Sequence, residues 1–213
     1  MLLTEQYRPS RLEDVVGQDA AVNKIQFLSK RGLGGRAYWI AGLSGTGKTT
    51  IAKIVGEMVA GDWCEEIDAG ECTVKAIKEW EQRLRCRPMG GTGWALLCNE
   101  AHGLRRDAVR QFLVTLERLP SFATVIFTTT NAGEQSLFDD CIDAGPLMSR
   151  CTTLSLESRG AKLELAFACY LRSVAQKEGL DGQPIDVYVN LVREKKFNLR
   201  SALQEIESGV MSV

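Results

Sequence analysis

Short apolar runs alternate along the first three quarters of the chain with segments whose apolar residues recur every three or four positions. The first pattern is typical of buried parallel strands and the second of amphipathic helices. The runs predict strands at residues 38–41, 63–68, 94–98, 123–128 and 152–156. The spacing predicts helices at residues 20–29, 50–59, 73–84 and 105–119. Such alternation predicts an α/β fold with a five-stranded parallel sheet and helices on both faces.

The alternation of strand and helix patterns does not extend to the two ends of the chain. Residues 5–18 contain Pro9 and Gly17 and are predicted to form an extended lead-in. No strand pattern follows residue 158; helical spacing instead predicts three helices at residues 162–177, 185–193 and 200–208. We therefore expect an α/β base over residues 1–157 and a small three-helix lid over residues 158–213.

Composition narrows the class of protein without changing this architecture. The 213 residues are 45% hydrophobic with a formal charge of -1, which is typical of a globular domain whose polyanion contacts are local. No apolar run approaches the roughly 20 residues of a membrane span, and no signal-peptide core follows Met1, so we expect an intracellular, cytoplasmic protein. The seven cysteines form no C-x-x-C pair and His102 is the sole histidine, which disfavours a zinc site.

Residues 42–49, GLSGTGKT, fit the Walker A phosphate-binding loop G-x-x-x-x-G-K-[ST]. A predicted strand precedes the loop and a predicted helix follows it, which is the context that the motif requires. Backbone N–H groups in the loop and at the helix N-terminus can surround an anion. Lys48 is expected to reach the β- and γ-phosphates of ATP, and the Thr49 hydroxyl is expected to hold Mg²⁺. The candidate nucleotide contacts of this segment are Gly42, Ser44, Gly45, Thr46, Gly47, Lys48, Thr49 and Thr50.

A second chemical signal follows the apolar run at residues 94–98. Asn99 and Glu100 occupy the position of a Walker B acidic pair, in which the first residue holds Mg²⁺ through water and the second polarises the attacking water. Asn99 keeps an oxygen but has no negative charge, so we expect weaker anchoring of the metal. This interpretation predicts that replacing Asn99 by Asp raises turnover.

Together these segments resemble the AAA+ ATPases and, among them, the replication factor C small-subunit type of clamp-loader subunit. The resemblance covers residues 5–208. The family's lead-in matches Tyr7-Arg8-Pro9 and Val15-Val16-Gly17-Gln18, and its Ser-Arg-Cys motif matches residues 149–151. The resemblance implies contacts to adenine and ribose from Tyr7, Arg8, Val15 and Val16.

The same resemblance assigns roles to residues near the γ-phosphate. Arg150 is the expected finger that completes a neighbouring subunit's site. Thr130 is the expected first sensor, with Asn131 as the alternative if the alignment shifts by one position. Leu199 and Arg200 match the leucine-arginine motif that opens the last lid helix, which makes Arg200 the expected second sensor.

DNA is the partner that the resemblance implies. In clamp loaders the helix after Walker B tracks the DNA backbone, and here Arg105, Arg106 and Arg110 lie on that segment, with Lys75 as a further candidate. A solvated helix face with ion pairs to Asp107 and Glu117 is the alternative interpretation.

The resemblance implies an ATP-hydrolysing subunit that forms a ring or spiral with copies of itself or related subunits, acts on DNA in replication or repair, and has a sliding clamp as a possible client. Clamp loaders carry a helical collar after the lid, whereas this sequence ends after the lid. Three interpretations stay open: the sequence is a truncated piece, the protein assembles through its ATPase modules alone, or it has been adapted to another task. Asn99 motivates one alternative, an ATP-gated assembly protein with little hydrolysis. A branch-migration-helicase-like motor, which shares the lead-in and lid, is another.

Overall fold

The computed structural model describes residues 2–130 and 144–212. The helices of the first part are α1 (Leu3–Gln6), α2 (Asp19–Ser29), α3 (Lys48–Ala60), α4 (Val74–Arg83) and α5 (Arg106–Glu117). The strands are β1 (Arg36–Ala41), β2 (Cys64–Asp68), β3 (Trp94–Asn99), β4 (Ala123–Thr129) and β5 (Cys151–Ser155). The remaining helices are α6 (Ala144–Ser149), α7 (Ala161–Glu178), α8 (Ile185–Glu194) and α9 (Leu199–Glu207).

The five strands form one parallel sheet in the spatial order β2-β3-β4-β1-β5, which confirms the predicted fold class. Strand β4 lies between β1, which leads into the phosphate loop, and β3, which leads into Glu100. Because the carboxyl ends of parallel strands meet at one edge of the sheet, this order gathers the ends of β1, β3 and β4 at that edge.

Helices cover both faces of the sheet, as predicted. One face, with Trp39 and Phe127, packs against α4 and α5 through Trp80 and Phe112. The opposite face, with Ile40, packs against α2 and α3. Strands β1, β3 and β4 are buried along almost their whole length, which explains their continuous apolar runs.

Two short helices were not predicted. Helix α1 replaces part of the expected extended lead-in, because Leu3 is buried in the core of the C-terminal helices and a four-residue segment is too short to show periodicity. Helix α6 includes Gly145-Pro146, which indicates a loop from sequence, yet proline fits the first turn of a helix. Trp63, predicted to start a strand, lies in the 3₁₀ turn Gly61–Trp63 before β2.

The three predicted C-terminal helices α7, α8 and α9 pack around a core of their own that includes Phe167, Tyr188 and Ile206. Tyr7 and Val16 also pack against this core, so the first residues of the chain lie on the lid. The division at residues 157 and 158 stays a prediction. None of the described helices has both the length and the apolar character needed to span a lipid bilayer.

Candidate active site

The Walker A segment forms a closed loop between β1 and α3. Gly45 and Gly47 have φ angles of 75° and 101°, in the left-handed region that glycine tolerates. The Thr46 hydroxyl and the Lys48 ammonium both donate to the carbonyl oxygen of Leu43, at 2.8 and 2.9 Å. The loop therefore already has a turned backbone, and Lys48 lies over it at the start of α3.

Lys48 is 6% exposed, and two nearby charged groups shift its pKa in opposite directions. Burial lowers the pKa of Lys48, the nearby Glu100 carboxylate raises it, and the positive charge of Arg200 lowers it further. A buried ammonium beside a second cation is stabilised by an anionic ligand. This arrangement is suited to the phosphates of a nucleotide.

One cleft is lined by predicted site residues from four parts of the chain: the lead-in, the phosphate loop, the end of β3 and the lid. Its lining includes Tyr7, Arg8, Val15, Val16, Ser44, Gly45, Thr46, Gly47, Lys48, Thr49, Thr50, Glu100, Leu199 and Arg200. Pro9 of the lead-in motif lines it too, as do Thr4, Tyr170 and Leu203, which were not predicted. Gly42 does not line it; its N–H donates to the carbonyl of Thr129 at 3.3 Å, which joins the start of the loop to the end of β4.

The lid contacts the phosphate loop directly. The Leu199 N–H donates to the carbonyl oxygen of Gly45 at 3.2 Å. A Cβ atom on Gly45 would collide with Oδ1 of Asn198, which caps α9 by accepting from the Ser201 N–H at 3.1 Å. Gly45 thus allows the close approach of the lid as well as the turn of the loop. Asn198 was not predicted, although an Asn before a helical segment is a recognisable capping signal.

Gln18 links the phosphate loop to the connection between base and lid. Its side chain is 1% exposed and donates to the carbonyls of Thr46 at 3.4 Å and Glu157 at 3.0 Å. Its Oε1 accepts from the Glu157 N–H at 2.7 Å. Gln18 stands in the lead-in motif, but nothing in the sequence indicates that its partners are 28 and 139 residues away.

Tyr7 is held against the lid from both sides. Its hydroxyl donates to Glu178 at 2.6 Å, and its carbonyl accepts from the Tyr170 hydroxyl at 2.8 Å. The hydrogen bond to Glu178 is the main cause of a raised Tyr7 pKa, and burial raises the pKa of Tyr170 to about 12. Both phenols are therefore neutral at physiological pH and can pack against an uncharged ring system.

Glu100 and Thr130 meet at the sheet edge, as the strand order predicts. The Thr130 hydroxyl donates to Oε2 of Glu100 at 3.4 Å, and Nδ1 of His102 lies at the same distance from that oxygen. Glu100 has a φ of 50°, a left-handed conformation that costs a non-glycine residue about 1–3 kcal/mol. This conformation turns Glu100 into the cleft at the end of β3. Asn131, the alternative sensor, lies outside the described residues.

Asn99 is engaged at both ends of its side chain. Its Oδ1 accepts from the Thr128 hydroxyl at 2.9 Å, and its Nδ2 donates to Oε1 of Glu66 at 2.6 Å. Lys53 contacts the other Glu66 oxygen at 2.7 Å. Burial raises the pKa of Glu66, but the hydrogen bonds from Lys53 and Asn99 outweigh it, so the net pKa is lowered and the carboxylate is charged.

The donor groups fit Mg²⁺ that arrives with a nucleotide. Mg²⁺ keeps several waters and takes most other ligands from phosphates, so the protein needs to supply few. The Thr49 hydroxyl at the start of α3 and the Glu100 carboxylate both face the cleft. Across residues 2–130 and 144–212, His, Cys, Asp and Glu form no cluster of three that could hold a metal without such a ligand.

Arg150 lies apart from this cleft. Its guanidinium is paired with Glu117 at the end of α5 at 2.8 Å and donates to the Pro146 carbonyl at 3.1 Å. It is not part of the lining that contains Lys48 and Arg200. The structure of one chain therefore brings together the phosphate loop, Glu100 and Arg200, with Thr130 on Glu100. Asn99, the other Walker B residue, does not line the cleft, and Arg150 lies on another surface.

The predicted nucleic-acid residues lie on α4, on α5 and, for Arg105, directly before α5; the two helices pack side by side on one face of the sheet. Arg105, Arg106 and Arg110 are exposed at the start of α5, and the exposed Lys75 on α4 lies 3.8 Å from Glu79. Asp107, a proposed partner for these arginines, accepts from the Ala108 N–H, and Glu117 pairs with Arg150.

Three kinds of comparison show what the chain is similar to. No protein-family model matches the chain. DNA polymerase III subunit gamma of Buchnera aphidicola is 28% identical over 98% of this chain and 60% of the relative. Replication factor C small subunit of Picrophilus torridus is 29% identical over 94% of this chain and 63% of the relative. The chain thus spans about 60% of the length of these curated relatives.

Solved structures of Thermotoga maritima RuvB superpose on the chain, one of them with a TM-score of 0.74, 15% identity and coverage of 95% of this chain and 65% of that one. At this identity the likeness shows the fold alone. The parallel sheet, phosphate loop and helical lid define a P-loop module of the AAA+ type. Within that class, the chain is a homologue of the clamp-loader AAA+ subunits.

Proposed function

We propose that the chain binds Mg²⁺-ATP in the cleft between base and lid, hydrolyses it, and works as a clamp-loader-like subunit in an oligomer on DNA. The observation that carries the proposal is the convergence of Lys48, Glu100 and Arg200 on one cleft from three separate parts of the chain.

Each residue has a distinct role in this proposal. Lys48 and the loop N–H groups neutralise the phosphates, and the Thr49 hydroxyl would hold Mg²⁺, which supplies further charge at the phosphates when bound. Glu100 accepts a hydrogen bond from the attacking water and orients it, while Thr130 fixes the Glu100 carboxylate. Arg200 joins the γ-phosphate to α9, so that occupancy favours the observed contact between lid and loop.

Phosphate release under steady-state conditions tests hydrolysis. The wild type with Mg²⁺ and DNA is expected to exceed Lys48→Ala, while Lys30→Ala, an exposed lysine at the end of α2, matches the wild type. Equal rates for wild type and Lys48→Ala would contradict the proposed hydrolysis. They would favour a second candidate, an ATP-gated assembly protein, which the engaged side chain of Asn99 supports.

Arg150 is proposed to act in a neighbouring subunit, because it does not line its own cleft and its exposed guanidinium pairs with Glu117 at the end of α5. Arg150→Ala and Lys48→Ala, each inactive alone, are expected to recover part of the activity when mixed, since some interfaces then combine an intact finger with an intact loop. Arg118→Ala, a nearby exposed arginine, serves as the control. Failure of mixing to restore any activity would contradict a finger in trans.

Contact with the DNA backbone is proposed for the exposed arginines of α5. Replacing Arg105, Arg106 and Arg110 by Ala is expected to weaken DNA binding about equally for all sequences and to lower the salt slope by about one per lost phosphate contact. An unchanged salt slope would favour the alternative of a solvated helix face. A sliding clamp as client, and assembly into a ring or spiral, rest on the likeness to clamp-loader subunits.

A further inference from the structure

Strands β2 and β3 carry an acid and an amide in direct contact, Glu66 and Asn99. Strand β2 pairs with β3 so that Glu66 lies opposite Leu97 and Asp68 opposite Asn99. Leu97 packs on the face that α3 covers, and Lys53 of α3 contacts Glu66, so Glu66 and Asn99 both face the phosphate-loop helix. Their contact, 2.6 Å from Nδ2 to Oε1, is a charge-assisted hydrogen bond.

Two chains of contacts connect this pair to the residues expected around the metal. Lys53 follows Thr49 by one turn of α3, a rise of about 6 Å, and its ammonium contacts Glu66. Asn99 directly precedes Glu100, which lines the cleft. Glu66 therefore contacts the lysine one helical turn after Thr49 and the side chain at the Walker B metal position.

We propose that Glu66 and Asn99 are an exchanged acid–amide pair, in which Glu66 supplies the negative charge near Mg²⁺-ATP that position 99 lacks. This inference rests on the proposed function. Asn99 acts as a positioning residue: its amide nitrogen holds Glu66, and its oxygen is held by the Thr128 hydroxyl. The pair would act in the outer shell of the metal, where charged groups orient the bound waters.

The exchange explains why an aspartate is unsuited to position 99 in this chain. The new carboxylate of an Asn99→Asp variant would face that of Glu66 at the present hydrogen-bond distance, with one cation, Lys53, beside them. Two carboxylates in contact repel each other. On this inference Asn99→Asp alone does not raise turnover, unlike the expectation from sequence, and the acid can move to position 99 only if position 66 becomes an amide.

A set of four variants tests the exchange: Glu66→Gln, Asn99→Asp, the double variant, and Glu65→Gln. Glu65 is the matched control because it lies on the same strand, faces the other side of the sheet and pairs with Arg83. Two quantities are measured on the whole chain: the thermal midpoint without nucleotide, and the Mg²⁺ concentration at half-maximal binding of a fluorescent ATP analogue.

We expect Glu66→Gln to raise the Mg²⁺ midpoint about tenfold, as loss of an outer-shell group does, and Glu65→Gln to leave it unchanged. Asn99→Asp alone is expected to lower the thermal midpoint. The double variant is expected to recover both quantities, because the amide now on β2 can donate to the carboxylate now on β3 in a reversed hydrogen bond.

Two results would overturn the inference. One is a Mg²⁺ midpoint for Glu66→Gln that equals that of the wild type, which would make Glu66 only a structural partner of Lys53. The other is a double variant no more stable than Asn99→Asp. A wild-type protein that binds the analogue no better than Lys48→Ala would instead contradict the proposed function. This outcome differs from the first one above, in which Glu66→Gln binds the analogue with an unaltered Mg²⁺ midpoint.

Discussion

The two sides of the cleft are built in different ways. The phosphate-loop side comes from eight consecutive residues, 42–49, whose glycines and lysine fix the backbone and the charge locally. On the strand-end side, Glu100 lines the cleft, and the residue before it, Asn99, is held by Glu66 of β2 and Thr128 of β4 through hydrogen bonds between residues 33 and 29 positions apart. A motif can therefore specify the first side, whereas the second depends on which side chains neighbouring strands contribute.

The largest effect is expected at the strand-end side. Glu100→Gln keeps the shape and the contact with Thr130 but removes the charge that orients water, so turnover is expected to fall about 10²–10⁴-fold with ATP affinity nearly unchanged. Single-turnover hydrolysis and equilibrium ATP binding measure the two quantities. Glu79→Gln, an exposed glutamate on α4, is the control. Equal turnover in Glu100→Gln and wild type would remove Glu100 from the catalytic role.

A smaller but measurable effect is expected where the phosphate loop contacts the lid. Gly45→Ala places a methyl group against Asn198 in a left-handed conformation, so the lid must move away. The free energy of unfolding is expected to fall by about 1–3 kcal/mol, with weaker ATP binding. Urea unfolding and ATP titration check both.

Gly70→Ala is the matched control for this change, because a Cβ there meets nothing within 4 Å. If Gly45→Ala and Gly70→Ala had the same stability and the same ATP affinity, the close contact between loop and lid would have no energetic weight.

Gln18 joins the phosphate loop to the connection between base and lid, through Thr46 and Glu157. Gln18→Met keeps the volume but leaves the Glu157 N–H and carbonyl without their buried partner, so about 1–3 kcal/mol of unfolding free energy is expected to be lost. Gln204→Met on the exposed face of α9 is expected to change little. A Gln18→Met protein as stable as the wild type would contradict this role.

The smallest effect on the cleft is expected from a network inside the lid. The hydrogen bond from Tyr188 is the main cause of a lowered Asp181 pKa; burial opposes it, and Gln176 and Arg172 add to it. A carboxyl with a depressed folded pKa stabilises the protein above its ordinary pKa of 3.8, and this stability is lost as the pH falls through the folded value.

Asp181→Asn is therefore expected to be less stable than the wild type at pH 7, with a difference that narrows below pH 3.8, while ATP affinity at pH 7 stays the same. Denaturant unfolding across this range checks the first point. A difference that stays constant down to low pH would show that the ionised carboxylate is not what stabilises the lid.

The contrast between the two sides also explains what the sequence could predict. The helices and strands of the base follow from apolar periodicity, and Lys48 and Thr49 follow from a contiguous motif. Glu100 and Thr130 could be placed at one edge because they end buried parallel strands. The long-range partners of Glu66, Gln18 and Asn198 could not be assigned, because they are set by strand order and lid packing. The pairing of Arg150 with Glu117 is likewise a product of the fold.

Equilibrium titration with a fluorescent ATP analogue tests the central claim, that the cleft between base and lid is an ATP site. We expect saturable binding by the wild type and by Lys30→Ala, and an affinity about 100-fold lower for Lys48→Ala, which loses a charge-assisted contact to phosphate. Binding of equal strength by Lys48→Ala and the wild type would contradict the account.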